Sequence, residues 1–201
     1  MSLVSVANVK EYLPEIQGTA ADTDLSNLLE RVEAIIARFL GFPVNDSGSL
    51  ALVASTYTLY VDSPALFDRA VLQIPIKPII SITSVYSDLD REYTADTEIH
   101  SNEYTLDKEK AQIILKNNVA TVGFNDGYRA NRIICSAGFD SDYTDLIHAI
   151  CVYTSHLYRA KANQGKKSTS IRNANTTFSA NTMPEEVKQI LYSFRSSSMV
   201  L

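Results

Sequence analysis

The sequence predicts an α+β protein, a small helical bundle of about four helices carrying an inserted antiparallel β-subdomain. Three observations lead there. Between Asp24 and Leu40 the apolar side chains Leu25, Leu28, Leu29, Val32, Ile35, Ile36, Phe39 and Leu40 recur in steps of three and four, the period of one helix face. From Thr56 to Ala137 the pattern changes to short runs rich in β-branched and aromatic residues, which favour strands. Helical spacing returns at Asp142–Lys161 and again after Pro184. On this reading residues 1–55 and 138–201 form the bundle with a C-terminal segment, and 56–137 the insert.

Taken in order, SVANVKEYL (Ser5–Leu13) reads as a short helix capped by Ser5 and ended by Pro14. A polar link follows. Asp22, Thr23 and Asp24 offer cap oxygens and negative charge to the central helix, Asn27, Glu30, Arg31, Glu33 and Arg38 take its polar face, and Gly41 with Pro43 stops it. The face Leu25, Leu28, Leu29, Val32, Ile35, Ile36 and Phe39 is the expected core. After a loop through NDSGSLALVAS come the strand-like runs TYTLYVD, AVLQIPI, IISITSVYSD, EYTLD, AQIILK, VATVGF and RIICSAG. Alternation around Ile80, Ile82 and Val85 is imperfect, which suits a bulge. Pro75 and Pro78 belong at a strand boundary or edge, and Asn125-Asp126-Gly127 marks a turn. In the third helix Tyr143, Leu146, Ile147, Ile150, Tyr153, Leu157 and Tyr158 form a wide apolar face, the pattern of a helix central to a bundle or covered by another subunit. Asn163–Thr182 is polar and is expected to be mobile before assembly. Pro184 opens the last helix, PEEVKQILYSFR, with Glu185 and Glu186 at its positive end.

The chain has 201 residues, 45% of them hydrophobic and 20% charged, with a formal net charge of −5. That acidic balance argues against a dedicated nucleic-acid binder. No apolar run approaches a membrane span, and Met1–Gln17 lacks the layout of a signal peptide, so synthesis and use in a cytoplasm are expected, without a membrane partner. Cys135 and Cys151 sit in apolar stretches without metal-type spacing and read as buried thiols.

Motifs for chemistry are sparse. His148 and His156 lie two turns apart on the third helix, too far to share an ion, and His100 falls in a loop. Asp88, Asp90 and Glu92 alternate like the start of a calcium loop but lack its glycine and distal glutamate. Sequence signatures of zinc proteases, P-loops, nucleophile elbows and dinucleotide folds are missing. The expectation is a protein that is not an enzyme and needs neither cofactor nor metal. Against the acidic background, Arg159, Lys161, Lys166, Lys167 and Arg172 form a basic cluster; it reads as a solvated helix end and loop, or as a contact for an anionic partner. The insert's Tyr57, Tyr60, Tyr86, Tyr93 and Tyr104 read as sheet packing or as rings for stacking on a carbohydrate.

The order of these segments resembles the head–tail connector (adaptor) proteins of tailed bacteriophages. The short helix ending VKEYL, the capped helix DTDLSNLLERVEAIIARFLGF, the β-region with LQIPIKPIISITSVYSD and IICSAGF, the helix DLIHAICVYTSHLYRAK, the GKKSTS stretch and MPEEVKQILYSFR carry the resemblance along nearly the whole chain. It implies a structural virion protein of the neck, assembled in the host cytoplasm. Copies would form a ring, commonly a dodecamer, beneath the portal protein, and join the DNA-filled head to the stopper or tail-completion protein. Double-stranded DNA would pass through without specific binding. Phe194, Arg195, Met199, Val200 and Leu201 are then candidate contacts to the portal or a neighbouring subunit, with Ser196–Ser198 as a tether. Lys161, Lys166, Lys167 and Arg172 are candidates for the lumen or an anionic partner. A tail-completion or stopper role, a ligand- or carbohydrate-binding module built on the insert, and an enzyme using scattered carboxylates are the other readings.

Overall fold

The computed structural model describes residues 2–63, 69–116, 123–161, 168–171, 174–177 and 183–195. The chain divides into two compact units, one from Met1–Leu40 with Ser141–Phe194, the other beginning at Gly41 and running through Asp140. The first is helical and the second is built on antiparallel sheets, so the fold class is α+β.

In the helical unit, helix α1 spans Val6–Glu11 and α2 spans Asp22–Phe39; α3 is Thr144–Lys161 and α4 is Glu185–Phe194. Ser5 caps α1, its hydroxyl accepting the Asn8 N–H while Asn8 Oδ1 accepts the Ser5 N–H, a reciprocal pair that satisfies two otherwise orphaned donors. The start of α2 differs from expectation. Its N-cap is Ala21, with no side-chain cap bond, and Asp22 and Asp24 lie inside the first turn, where their charge still favours the positive end of the helix.

Helix α3, rather than α2, is the hub: α1, α2 and α4 all pack against it, as its wide apolar face foreshadows. Leu146, Ala149, Ile150, Cys151, Tyr153 and Thr154 are buried along it, Thr154 returning its hydroxyl proton to the Ile150 carbonyl. The predicted core face of α2 is borne by Leu25, Leu29, Val32 and Ile36, all buried together with Ala37. Leu28 and Phe39 are only half-buried, and Ile35 is 41% exposed. The core stripe is therefore narrower than the eight-residue pattern. The cause is geometric: two helices cover roughly one face of α2, and residues on the shoulder of that face remain at its rim. Glu33 is the converse correction. Assigned to the polar face, it is buried, because Ser2 Oγ and the backbone N–H groups of Leu3 and Val4 donate to its Oε1 at 2.6, 2.9 and 3.2 Å.

Residues 168–171 and 174–177 carry strands that the sequence reading did not place. Within the polar stretch Asn163–Thr182, strands β8 (Ser168–Ile171) and β9 (Ala174–Thr177) pair as an antiparallel hairpin, closed by the Ile171↔Ala174 pair. Thr169, Ile171, Thr176 and Thr177 supply the β-branched character that a reading by hydrophobicity alone passes over.

In the β unit the strands are β1 (Ser55–Ser63), β2 (Val71–Gln73), β3 (Ile79–Ser87), β4 (Glu98–Ile99), β5 (Tyr104–Asp107), β6 (Gln112–Leu115) and β7 (Gly127–Ala137). They form two antiparallel sheets, ordered β1-β7-β3-β4 and β2-β6-β5. The imperfect alternation of β3 corresponds to register shifts between Ile79 and Ser81 and between Ile82 and Ser84. Pro75 and Pro78 fall between β2 and β3, and Gly127 opens β7 after the Asn-Asp-Gly turn. Only the end of VATVGF, Gly123-Phe124, falls among the described residues, and it is not strand. The segment NDSGSLALVAS, expected to be a loop, and Phe42 before it contribute to this unit's core. Phe42 and Leu52 are buried, Phe42 lies against Tyr57 and Phe139, and the Phe139 N–H donates to the Leu52 carbonyl at 2.7 Å. Gly138, at φ 138°, lets this loop approach, since a Cβ there would stand 2.5 Å from the Val53 carbonyl carbon.

Candidate functional site

No single cleft collects reactive groups among the described residues; the candidate site is a surface of the helical unit. Along α2 and α3 runs an open groove of about 410 Å³, lined by Asp24, Asn27, Leu28, Arg31, Ile35, Leu157, Tyr158 and Lys161. Its apolar part comes from the shoulder residues of α2, seven apart at Leu28 and Ile35, facing Leu157 and Tyr158 of α3. Lys161 closes one end by an ion pair with Asp24 at 2.8 Å, which holds the Asp24 carboxyl below its ordinary value. Arg31 has no acid partner among the described residues.

The basic cluster expected at the end of α3 is accordingly tempered. Arg159 Nε donates to Glu15 Oε1 at 2.8 Å and its Nη2 to the Tyr12 carbonyl at 2.9 Å. The bond from Arg159 lowers the Glu15 carboxyl and raises the guanidinium. Lys161 is tied to Asp24. Lys166, Lys167 and Arg172 lie outside the described residues, as do Met199, Val200 and Leu201. Phe194 packs edge-on against Tyr143 with ring centres 6.1 Å apart, and Arg195 ends the described chain on the surface. Within the helical unit, Tyr192 stands 55% exposed against Phe39.

His148 has the structural role its position suggests. The Tyr12 hydroxyl lies 2.8 Å from its Nδ1, and Glu186 Oε1 lies 3.7 Å from its Nε2, so it links α1, α3 and α4. Cys151 and Cys135 are buried free thiols, pushed up by that burial to about 11 and about 12; groups so protonated are poor nucleophiles. Among the described residues no group of three or more His, Cys, Asp or Glu side chains could hold a metal ion. No helix among them is long and apolar enough to cross a membrane.

The β unit gathers a second set of side chains that sequence reasoning treated only one by one. Tyr57 and Tyr104 are buried packing residues, and burial raises the Tyr57 hydroxyl to about 12. Tyr60, Tyr86 and Tyr93 instead meet two arginines. Arg129 Cζ stands 4.1 Å from the Tyr60 ring centre, and Arg132 Cζ stands 4.2 and 4.7 Å from those of Tyr86 and Tyr93. The turn after β3 is fastened by Asp88, whose carboxylate accepts backbone N–H groups of Asp90, Glu92 and Tyr93 at 2.8–3.1 Å. These bonds, Tyr93's foremost, hold the Asp88 carboxyl below its ordinary value against the effect of burial. Of the three acids that begin like a calcium loop, Asp88 is thus a buried acceptor, and Asp90 and Glu92 supply backbone donors to it.

The chain belongs to the head completion protein family, whose model matches residues 2–197. With that family comes a structural role at the connection of head and tail in a phage-like virion. Two solved structures share the fold. One, described as the neck of native GTA particle computed with C12 symmetry, matches with a TM-score of 0.57 at 17% identity, over 97% of this chain and 90% of that one. The other, the neck of empty GTA particle computed with C6 symmetry, matches with a TM-score of 0.58, again at 17% identity over 97% and 90%. No curated protein matches the sequence.

Proposed function

We propose that the protein connects head to tail by assembling as a ring beneath the portal, with the α2–α3 groove seated against a neighbouring copy. The observation that carries this reading is the row Leu28, Ile35, Leu157 and Tyr158, apolar yet open along two helices of the hub. A cyclic assembly needs a heterologous contact, one face of each copy meeting a different face of the next. An apolar row beside Arg31, which has no acid partner among the described residues, suits such a contact. The symmetry of the two neck structures agrees with a ring, commonly of twelve copies. In this reading Phe194, Arg195 and Met199–Leu201 grip the portal or a neighbour, and Lys166, Lys167 and Arg172 face passing DNA or another anionic partner. The stopper or tail docks below, and no catalytic step is involved.

The test is complementation of particles that lack the protein, scoring DNA-filled heads that acquire tails. Ile35→Asp, at an exposed position, is expected to leave the melting temperature within about 2 °C of the parent and to abolish incorporation. A chain truncated after Arg195 should fold equally well but join loosely or not at all. Normal tail attachment with Ile35→Asp would overturn the seat, and normal attachment with the truncated chain would overturn the grip.

A further inference from the structure

The tyrosine–arginine cluster of the β unit has no part in that reading, yet it is the most elaborately fastened surface feature of the molecule. Its elements come from three strands and a turn. Tyr60 lies on β1, Tyr86 on β3, Arg129 and Arg132 on β7, and Tyr93 in the turn after β3. Tyr60 and Tyr93 also face each other, ring centres 5.7 Å apart. Arg129 is held at both ends of its backbone: its N–H donates to Asp62 Oδ1 at 2.6 Å, and its carbonyl accepts the Tyr93 hydroxyl. Both Tyr93 (φ 51°) and Arg129 (φ 54°) adopt left-handed backbone conformations, which cost energy for residues bearing a Cβ and persist only where surrounding contacts fix them.

This fixing leaves one group free to act. The exposed Arg129 guanidinium rests on Tyr60 and has no carboxylate partner among the described residues, leaving its planar fork of donors available to a ligand. Tyr128, next to Arg129 in the chain, is 70% exposed, and Leu89, 62% exposed, follows Asp88, whose N–H donates to the Ala130 carbonyl in the same strand. Exposed tyrosine, leucine and a stacked arginine form the kind of patch that dominates binding energy at protein interfaces.

Two other ligand classes fit poorly. A sugar would need open ring faces, and the arginines cover a face of Tyr60 and of Tyr86. A polyphosphate backbone would meet Asp62, Asp88, Asp90 and Glu92 beside the arginines, without the basic excess that neutralises phosphates. A single carboxylate flanked by apolar side chains fits both the fork and its shoulders.

We propose that this platform binds an acidic–apolar peptide segment of another protein, one carboxylate bidentate on Arg129 and an apolar side chain against Tyr128 and Leu89. The full chain is titrated with a fluorescent twelve-residue peptide of serines carrying one aspartate flanked by leucines, with its counterpart bearing asparagine in place of the aspartate, and with a duplex DNA oligonucleotide. Backbone amide shifts of residues 89–93 and 127–132 locate the contact. The aspartate peptide should bind and shift those amides. Arg129→Gln should weaken it roughly tenfold or more, the loss of a charge-assisted hydrogen-bond pair, with unchanged melting. Tyr128→Ser, which touches neither cation–π pair, should weaken it severalfold. Equal binding of the asparagine peptide, no effect of Arg129→Gln, or shifts confined to other residues would overturn the proposal. So would tighter binding of the duplex at this patch, or an effect of Arg129→Gln on self-association alone.

Discussion

Each of the two units contains an internal carboxylate that gathers backbone N–H groups, and the two behave oppositely. Glu33 in the helical unit and Asp88 in the β unit are almost equally hidden, 6% and 7% exposed, and each has three donors. Yet burial raises the Glu33 carboxyl above its ordinary value, whereas its N–H donors lower that of Asp88. The difference lies in which effect is larger: loss of water on burial leads at Glu33, and the backbone N–H bonds, Tyr93's foremost, lead at Asp88. All three converge on Oε1 of Glu33, while Asp88 takes Asp90 on Oδ1 and Glu92 and Tyr93 on Oδ2. A carboxylate whose hydrogen bonds outweigh its loss of water stays charged; one whose loss of water outweighs its hydrogen bonds is drawn towards its acid form.

The sharpest break of this comparison comes from the core beneath Glu33. Leu29→Ala should destabilise the helical unit by about 2–5 kcal/mol through lost burial and a cavity, while Ile35→Ala on the open shoulder should cost under about 1 kcal/mol. Chemical denaturation measures both. Cys151 in α3 and Cys135 in β7 add a reporter for each unit, since each thiol becomes reactive only when its own surroundings open; pulsed alkylation with mass analysis should show Cys151 exposed first in Leu29→Ala. Next in size, Glu33→Ala leaves the Leu3 and Val4 N–H groups without their acceptor and should cost about 1–3 kcal/mol, with faster amide exchange at residues 3 and 4.

The smallest effects carry the sign of the comparison. A carboxyl raised in the folded state contributes stability below its unfolded value, 4.5 for Glu33, and loses that contribution as pH rises through the folded value. A lowered one contributes above its unfolded value, 3.8 for Asp88, and loses the contribution as pH falls through the folded value. Melting curves of Glu33→Gln should therefore improve relative to the parent between pH 4 and pH 7. Those of Asp88→Asn should fall below the parent near neutrality and converge with it in acid. Parallel curves for the two variants would remove the distinction between the two sites.

Much of the fold was legible because it is written in local period. The buried stripe of α2, the wide face of α3, the Pro184 start of the last helix and the bulged β3 all follow from spacing within ten or twenty residues. What was not legible depends on partners far away in sequence. Nothing near Glu33 announces that Ser2, Leu3 and Val4 will cover it, and Ile35 differs from Ile36 only in which side of α2 its neighbours occupy. Phe42 and Leu52 looked like parts of a linker because the strand residues that bury them lie further along the chain. Of the candidate surfaces, Leu28 and Ile35 were seen, but as core. The tyrosine–arginine platform joins positions 60, 86, 93, 129 and 132, and two of its five members have backbone angles that no propensity scale anticipates.

The split course of the helical unit also has a consequence for synthesis on the ribosome. Helix α2 is complete at Phe39, but the hub that covers it begins at Thr144, after about a hundred more residues have been made. At roughly 5–20 residues per second, that is a wait on the order of 5–20 seconds. Throughout it the sticky stripe of Leu25, Leu29, Val32 and Ile36 has only α1 for company, while the whole β unit emerges between the two halves. The helical unit can therefore be completed only after the whole length of the β unit has been made.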